Sequence, residues 1–410
     1  MGRVPDSAAA PLLRHAGFRY YILFRVLTTT ASEMQALAVA WQIYSITHRP
    51  LDLGLVGLAQ FLPGVLLFLV TGHAADRFPR QRILETCSAG FALCSVLLVT
   101  IALYSLSSVY PIYAVLLLNG AIRAFNGPAS QAFLPLLVPE EQFPIAVAWN
   151  SSIFQAATIA GPVAGGLVYG FTASPVPVYC CAAIEYLVAL LVISVVRVRV
   201  AQGRPAASYK MALEGLRYIR RNRLILGAIS LDLFAVLLGG AVALLPVYAR
   251  EILKIGASGL GILRGGPGLG ALLTAMIVAR WPLRRRAGAI MLWCVGGFGV
   301  FTIVFGLSRN LALSLAALVL IGACDMVSVI VRHTLVQLST PDEMRGRVSA
   351  VNVVFIGASN EVGQFESGIT AQWFGTVPAV VLGGLGTLAI VAIWARRFPA
   401  LRQVDALVER

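Results

Sequence analysis

Lysine is nearly absent from this chain of 410 residues, because Lys210 and Lys254 are the only lysines among 32 basic residues and the others are arginines. A phosphate-binding P-loop needs a lysine directly after a glycine. The two lysines follow Tyr209 and Leu253 instead. The sequence therefore excludes an ATP motor of this type within the chain.

Charge of either sign is also scarce. Charged residues make up 12% of the chain and apolar residues 58%, and the mean hydropathy is +0.83. Soluble domains carry about 25% charged and about 45 to 50% apolar residues. We therefore predict an integral membrane protein with no room for a sizeable soluble domain.

The motifs that hold cofactors are missing as well. The six cysteines lie inside apolar runs, without the loop context of a disulfide framework or the spacing of zinc ligands. The chain has no HExxH, DDxxD or GxGD motif of the kind expected in intramembrane enzymes. We therefore expect a protein that is not an enzyme and that carries no metal or other cofactor.

What the chain has is a series of long apolar runs. A membrane-spanning helix needs about 20 mostly apolar residues, whereas a β-barrel needs ~10-residue segments of alternating hydrophobicity, which are absent. The first 17 residues contain no apolar core followed by a cleavage site, so we expect no removable signal peptide. The runs predict twelve spans, at residues 18–46, 51–75, 83–104, 109–137, 143–171, 176–197, 224–250, 257–280, 287–307, 311–338, 346–374 and 378–396.

The basic residues predict how these spans are oriented. Of the 32 arginines and lysines, 24 fall in the termini and in alternate loops, four fall in the opposite loops and four lie within spans. Positive residues accumulate on the cytoplasmic side, so we expect cytoplasmic termini, and the missing signal peptide suits a bacterial inner membrane. The net charge of +14 is thus a topology signal and does not indicate nucleic-acid binding.

The two halves of the chain match each other across an amphipathic, arginine-rich linker at residues 198–223. At an offset of 202 residues, the coinciding pairs include Gly120 with Gly322, Pro139 with Pro341, and Asn150 with Asn352. Parallel repeats of this kind are a transporter architecture, with the substrate site between the halves near the middle of the bilayer. We predict two pseudo-symmetric six-helix bundles, at residues 1–197 and 224–410.

The loop between the second and third spans is rich in arginine, and residues 72–82 read GHAADRFPRQR. This loop resembles the signature loop of the major facilitator superfamily, Gly-x-x-x-Asp-Arg-x-Gly-Arg-Arg/Lys, although proline replaces the second glycine and glutamine the second base. The resemblance implies that Gly72, Asp76, Arg77 and Arg80 take part in gating.

Two stretches in the fourth and fifth spans support this resemblance. Residues 123–127 read RAFNG, which is similar to the superfamily's Arg-x-x-x-Gly motif of proton-coupled exporters, and residues 161–166 read GPVAGG, which is similar to its antiporter motif. Pro162 removes a backbone donor and bends the helix, while small residues such as Gly161 permit tight helix contact. We therefore assign Gly161 and Pro162 to gating.

Residues 340–352 read TPDEMRGRVSAVN, and this stretch resembles the drug and siderophore exporter branch of the superfamily, typified by the enterobactin exporter. The resemblance covers essentially the whole chain. It implies the major facilitator fold, which is an all-α membrane protein with twelve transmembrane helices in two six-helix bundles. It also implies alternating access, and we expect a monomer.

Ionisable side chains within spans are functional candidates, because a charge at mid-bilayer costs at least ~2.5 to 3.5 kcal/mol on insertion scales. Those near the middle of a predicted span are Glu33, Arg123, Asp325 and Glu361. Asp325, Ser328 and Arg332 follow an i, i+3, i+7 spacing, so they share one helical face. We expect that face to look at water or at substrate.

We hypothesise that a carboxylate, Glu33 or Asp325, exchanges protons and that Arg123 stabilises its charged form when the halves bring the two together. Glu361 is a further proton-coupling candidate. The candidates for binding substrate are the polar groups Asn126, Asp232, Arg332 and His333, because ligand pockets combine apolar walls with a few placed polar groups.

The leading interpretation is a secondary active transporter, a proton-coupled exporter of a siderophore or an amphiphilic drug. A cationic drug would use the carboxylates and an anionic siderophore the arginines, and the sequence does not choose between them. The alternative is a lipid or lysophospholipid flippase on the same fold, with a lateral opening and with flux that is insensitive to the proton gradient. A receptor without transport is disfavoured by the matched halves.

Overall fold

The structure is a computed structural model that describes residues 12, 15–67, 71, 77–104, 108–196, 209–281 and 286–404. Regular structure in these ranges is helical throughout. The first six long helices are α1 (Ala16–Thr47), α2 (Pro50–Leu66), α3 (Arg80–Leu103), α4 (Tyr110–Phe133), α5 (Phe143–Thr172) and α6 (Val176–Ser194). After the short helix α7 (Tyr209–Arg221) come α8 (Arg223–Leu238), α9 (Gly256–Arg280), α10 (Ala287–Leu307), α11 (Leu311–Leu338), α12 (Asp342–Phe374), α13 (Thr376–Arg397) and α14 (Pro399–Gln403).

The helices α1, α3 to α6 and α9 to α13 coincide with the predicted spans, and α2 and α8 cover the first part of theirs. Within the described ranges, eight helices are long and apolar enough to cross a membrane. The helices α1, α4 and α12 have enough residues, but they carry polar and charged side chains along their length, and α2 is apolar but has only 17 described residues. The all-helical membrane fold predicted from the sequence is confirmed.

The seventh span differs from its prediction, because the helix does not run unbroken through residues 224–250. It ends at Leu238, and a 3₁₀ turn (Ala241–Leu244), one α turn (Leu245–Val247) and a π turn (Tyr248–Ile252) follow. Consecutive glycines at 239 and 240 weaken the helix, and Pro246 supplies no backbone donor. The break also allows close packing, because a Cβ atom added to Gly240 would lie 2.6 Å from Ser367 Oγ.

The described chain forms two compact units. The first comprises Met1–Gln42 and Leu62–Ala206. Its core is aromatic. Tyr21 is stacked with Phe24 and tilted against Phe133, and Phe91 is stacked on Tyr186 at a centroid distance of 5.2 Å. Such aromatic contacts bury large apolar areas and fix the side chains that surround the polar groups described below.

The second unit comprises Ile43–Phe61 and Ala207–Arg410, so it includes a segment from the first half of the sequence. Within it, α9 and α11 cross at very short range, because Gly270 lies against the carbonyl of Val319 and Gly322 lies against the carbonyl of Pro267. Small residues at such crossings let helix backbones approach closely.

The linker helix α7 also packs in the second unit. Glu214 forms an ion pair with Arg347 of α12 at 2.6 Å, and a Cβ atom added to Gly215 would lie 2.6 Å from the Arg347 carbonyl oxygen. Asn222 is the single residue between α7 and α8, and its Oδ1 atom accepts hydrogen bonds from the amides of Leu224 and Ile225. Satisfying these first amides caps α8.

Candidate functional site

A charged cluster lies inside the second unit, where α8 meets α11. Arg332 donates to Asp232 with an N–O distance of 2.6 Å, and the two residues are only 2% and 6% exposed. Asp325 interacts electrostatically with both of them. Two carboxylates therefore share the neighbourhood of one guanidinium group. The sequence singled out all three residues, and the structure brings them together.

The predicted helical face of α11 is the one that carries this cluster. Asp325, Ser328 and Asp232 line one small cavity together with Phe298 of α10. Its volume is about 10 Å³, which is the space that a single water molecule needs. This face is therefore packed against neighbouring helices, and we expected instead a face open to water or substrate.

The cluster is not fully satisfied by hydrogen bonds. The Nε atom of Arg332 is buried and has no hydrogen-bond partner in the described chain. A buried donor without a partner costs free energy, so the cluster is less stable than a complete network of the same groups would be.

The first unit carries a different polar cluster at the corresponding helices. Arg25 of α1 donates from Nε to Asn150 Oδ1 at 3.3 Å and from Nη1 to Ser130 Oγ at 3.5 Å, and its guanidinium lies 5.7 Å from the Phe154 ring centroid. Tyr21 also contacts Ser130, at 3.0 Å between their side-chain oxygens. Our sequence reasoning missed Arg25 as a candidate, although an arginine within an apolar span is itself the signal that would have found it.

The proposed antiporter motif forms the contact between α5 and α1. A Cβ atom added to Gly161 would lie 2.7 Å from Glu33 Cβ, and one added to Gly165 would lie 2.9 Å from Met34 Cα. Pro162 is buried next to this crossing, within α5. The motif glycines thus bring the α5 backbone directly against the turn of α1 that carries the candidate proton carrier Glu33.

The signature loop is only partly described, because Gly72 and Asp76 lie outside the described residues. Arg77 is exposed to solvent. Arg80 donates from Nη1 to the carbonyl oxygen of Ala132 at 3.0 Å, near the C-terminal end of α4. A cation at that position is favoured by the helix dipole and satisfies a terminal carbonyl group. Arg80 therefore fastens the loop to α4.

Four further candidates lie on α4, α11 and α12, and His333 of α11 interacts electrostatically with its neighbour Arg332. In the first unit, Arg123 is exposed and Asn126 is partly buried, both on α4. In the second unit, Glu361 accepts a hydrogen bond from Gln364 at 3.3 Å, and His333 is exposed at the wall of a larger cavity.

The segment Ile43–Phe61 supplies a further set of contacts within the second unit. Tyr44 donates to Glu251, and Arg250 donates to Ser45. On α2, a Cβ atom added to Gly57 would lie 3.2 Å from Gln364 Cβ of α12. Residues from the first half of the sequence are therefore in direct contact with second-half helices.

The comparisons with known proteins agree with this helical arrangement. The family described as "Transmembrane secretion effector" matches residues 6–409. The Enterobactin exporter EntS of Shigella boydii serotype 4 (strain Sb227) is 27% identical over 386 residues, which cover 92% of this chain and 87% of the exporter.

Two solved structures have a similar fold. A bacterial homologue of the human lysosomal transporter Spinster, in an inward-facing and occupied conformation, aligns with a TM-score of 0.71 at 14% identity over 98% of this chain and 99% of its own. A bacterial homologue of the iron transporter ferroportin, in an inward-facing state, aligns with a TM-score of 0.67 at 15% identity over 92% and 98%.

Proposed function

This chain belongs to the transmembrane secretion effector family of the major facilitator superfamily, and from that premise we propose that it is a proton-coupled exporter of a siderophore or an amphiphilic drug. It is a secondary transporter, a multi-pass membrane protein of the major facilitator fold, and not an enzyme. Its cargo is a small molecule. Proton coupling, the outward direction and the class of cargo are the parts that we propose.

The observation that carries the proton coupling is the cluster in which the buried pair of Asp232 and Arg332 adjoins the partly buried Asp325. One guanidinium group balances one carboxylate. The second carboxylate leaves a net negative charge in a site of low dielectric, where an uncompensated charge is strongly disfavoured. Binding one proton makes the cluster neutral. The cluster therefore takes up a proton when it is enclosed and releases it when water reaches it.

We assign the exchanging proton to Asp325 and the permanent counter-charge to Asp232. Asp232 contacts Arg332 directly at 2.6 Å, so it keeps its charge while the pair persists. Asp325 lines the small cavity beside that pair. It is the second carboxylate of the cluster, and the one guanidinium group already balances the charge of Asp232. Glu33, Arg123 and Glu361 remain secondary candidates for proton coupling.

The direction and cargo rest on the relatives and on the motifs. The relative from Shigella boydii is named an enterobactin exporter, which supports export and a siderophore-like cargo here. The Gly161–Pro162 crossing on α1 supports gating by these helices. We further propose a monomer in a bacterial inner membrane with cytoplasmic termini.

The test is cargo flux in proteoliposomes with and without an imposed pH gradient. In an Asp325→Asn variant, we expect flux that no longer responds to the gradient, because the exchangeable site is permanently uncharged. Glu366→Gln is the matched control. Glu366 is a partly buried carboxylate of α12 that accepts from Thr370 at 2.8 Å, and it lies outside the cluster. Unchanged coupling in Asp325→Asn would remove Asp325 from the mechanism, and the same measurement on Glu33→Gln would then test the other candidate.

A cargo screen in the same vesicles separates the remaining classes. Export of an iron chelator supports a siderophore, and efflux of a cationic dye supports a drug. Movement of a lysophospholipid with no response to the pH gradient would replace the exporter with the flippase.

A further inference from the structure

A second cavity, separate from the charged cluster, lies in the second unit between the C-terminal end of α11 and the N-terminal end of α12. Its volume is about 540 Å³, which lies within the range of roughly 300–1,000 Å³ that is typical of small-molecule sites. The polar side chains that line it are His333, Gln337, Thr340, Arg345, Ser349 and Asn352. No carboxylate is among the described residues that line it.

The walls of this cavity are formed by matching stripes on the two helices. His333, Gln337 and Thr340 recur at helical spacing along and just beyond α11, and Arg345, Ser349 and Asn352 do so along α12. Side chains at such spacing face the same side of a helix, so the polar groups converge from both walls.

The corner between the helices is held in place by hydrogen bonds. Arg345 Nε donates to the carbonyl oxygens of Gln337 and Thr340 at 3.1 and 3.2 Å, and Tyr218 of α7 donates to the Ser339 carbonyl oxygen at 3.1 Å. The turn between α11 and α12 is therefore fixed, and the cationic side chain of Arg345 is anchored at the cavity wall.

Two buried polar atoms in this cavity lack partners. Thr340 Oγ1 and Asn352 Oδ1 make no hydrogen bond in the described chain, although each residue is only 2% exposed. Buried polar atoms are paired in the great majority of cases, and an unpaired one calls for an occupant. Asn352 Oδ1 accepts hydrogen bonds, and the Thr340 hydroxyl can accept or donate.

The repeat shows what kind of group belongs at this position. Asn150 is the first-half equivalent of Asn352 at the offset of 202, and its Oδ1 accepts from Arg25 of α1 at 3.3 Å. In the second half, α8 carries no basic residue between Leu224 and Leu238. The first unit thus supplies its own donor, while the second leaves the equivalent acceptor open beside a cavity.

We propose that this cavity binds an organic anion that carries a hydroxyl group. The hydroxyl donates to Asn352 Oδ1, Thr340 supplies a second hydrogen bond, and the anionic group lies near Arg345. The proposal deepens the transport function, and it rests on that function only in identifying the occupant as cargo that loads at this end of α11 and α12.

The test measures binding alone, on the purified full chain in detergent with no gradient present. The probes are 3-hydroxybenzoate, benzoate, which lacks the hydroxyl, and 3-hydroxybenzamide, which lacks the charge. Ligand-observed NMR gives the dissociation constant of each. We expect 3-hydroxybenzoate to bind best, and we expect Asn352→Leu to weaken it about fivefold or more, which is the typical loss for one hydrogen bond. Asn360→Leu, which changes an exposed amide on the same helix, should leave binding unchanged.

Folding is controlled in the same experiment. Because Asn352 Oδ1 is buried without a partner, leucine at this position should leave thermal unfolding at or above that of the parent protein. If Asn352→Leu does not fold, Thr340→Val supplies the comparison. Equal binding of the three probes, or unchanged binding of 3-hydroxybenzoate in the folded variants, overturns the site. Hydroxyl-dependent binding in a protein whose flux ignores the pH gradient overturns the proton coupling alone.

Discussion

The buried pair of Asp232 and Arg332 depends on both of its members. Each is almost inaccessible to solvent, and the two meet at 2.6 Å. Removing one partner of a buried pair leaves the other charge uncompensated in a medium that solvates it poorly. The presence of Asp325 makes the two removals unequal, because Arg332 keeps a carboxylate neighbour when Asp232 is neutralised.

We therefore predict that Arg332→Met lowers the free energy of unfolding by about 3–5 kcal/mol and that Asp232→Asn lowers it less. Arg332→Met leaves two carboxylates beside each other with no cation, whereas Asp232→Asn leaves Arg332 near Asp325. Thermal unfolding of the purified protein in detergent measures both.

The control for this prediction is Glu214→Gln. It breaks the ion pair with Arg347, whose side chains are 46% and 33% exposed, and pairs exposed to that degree contribute at most ~1 kcal/mol. Equal losses in Arg332→Met and Glu214→Gln would contradict the argument from burial.

Sequence reasoning identified the members of the charged cluster because charges within a span are costly and therefore stand out. It did not predict that Arg332 is the cation beside Asp325 within the second unit. That arrangement depends on how α8 and α11 are rotated, and side-chain spacing within one helix does not determine the helix that it faces. The pairing of Arg123 with a proton-carrying carboxylate, Glu33 or Asp325, stays a prediction.

Close contacts between helices in this protein form at glycines, which have no side chain to keep the backbones apart. Gly161 and Gly165 bring the α5 backbone against the turn of α1 from Thr30 to Met34. A methyl group at Gly161 meets the Cβ atom of Glu33 at 2.7 Å and the carbonyl oxygen of Thr30 at 3.1 Å. Neither atom lies at the free end of a flexible side chain, so the helices themselves must separate.

Gly161→Ala is accordingly predicted to destabilise the protein by about 1–3 kcal/mol, the usual cost of overpacking a tight contact. Gly296→Ala on α10 is the control. An added Cβ atom there meets nothing within 4 Å, and alanine is the better helix former by roughly 0.5–1 kcal/mol. Both effects are read from thermal unfolding, and a Gly161→Ala protein as stable as Gly296→Ala would refute the assigned crossing.

The sequence predicted the positions of the long helices closely, because apolar length is itself the physical requirement for crossing a bilayer. It did not predict the break after Leu238. Hydropathy is uniform across the glycine pair at 239 and 240, and glycines inside membrane helices more often mark close packing than a helix end. The structure distinguishes a helix end from close packing within a helix, because the helix ends at Leu238 and Gly240 then packs against Ser367.

At the scale of the whole molecule, the repeat matches positions in the two halves of the chain, but the residues at matched positions differ in charge. Arg123 and Asp325 are equivalent by sequence, as are Ser130 and Arg332. The first unit uses an arginine on its first helix to bind neutral side chains, while the second unit uses an aspartate at Asp232 to bind an arginine. Matching glycines and prolines indicate a shared backbone path, and they carry no information about charge.

The contact between α2 and α12 provides a test of alternating access. Gly57 and Gln364 would have Cβ atoms 3.2 Å apart, a few tenths of an ångström below the ~3.5–4.5 Å of a disulfide. We predict that a Gly57→Cys/Gln364→Cys protein loses cargo flux on oxidation and regains it on reduction, because the alternating access that we propose requires this contact to open. The single-cysteine variants, oxidised in parallel, account for the native cysteines. Full flux in the oxidised double variant would mean that the contact stays closed throughout the transport cycle.

The single residue between α7 and α8 has a mechanical consequence. Asn222 caps α8 directly after α7 ends at Arg221, so no slack separates the two helices. A tilt of α8 about its capped end would therefore also move α7. The middle of α7 in turn contacts α12 through the ion pair of Glu214 with Arg347. Motion of the seventh span would therefore reach the eleventh through the contacts of α7 at Glu214 and Gly215 with Arg347 of α12.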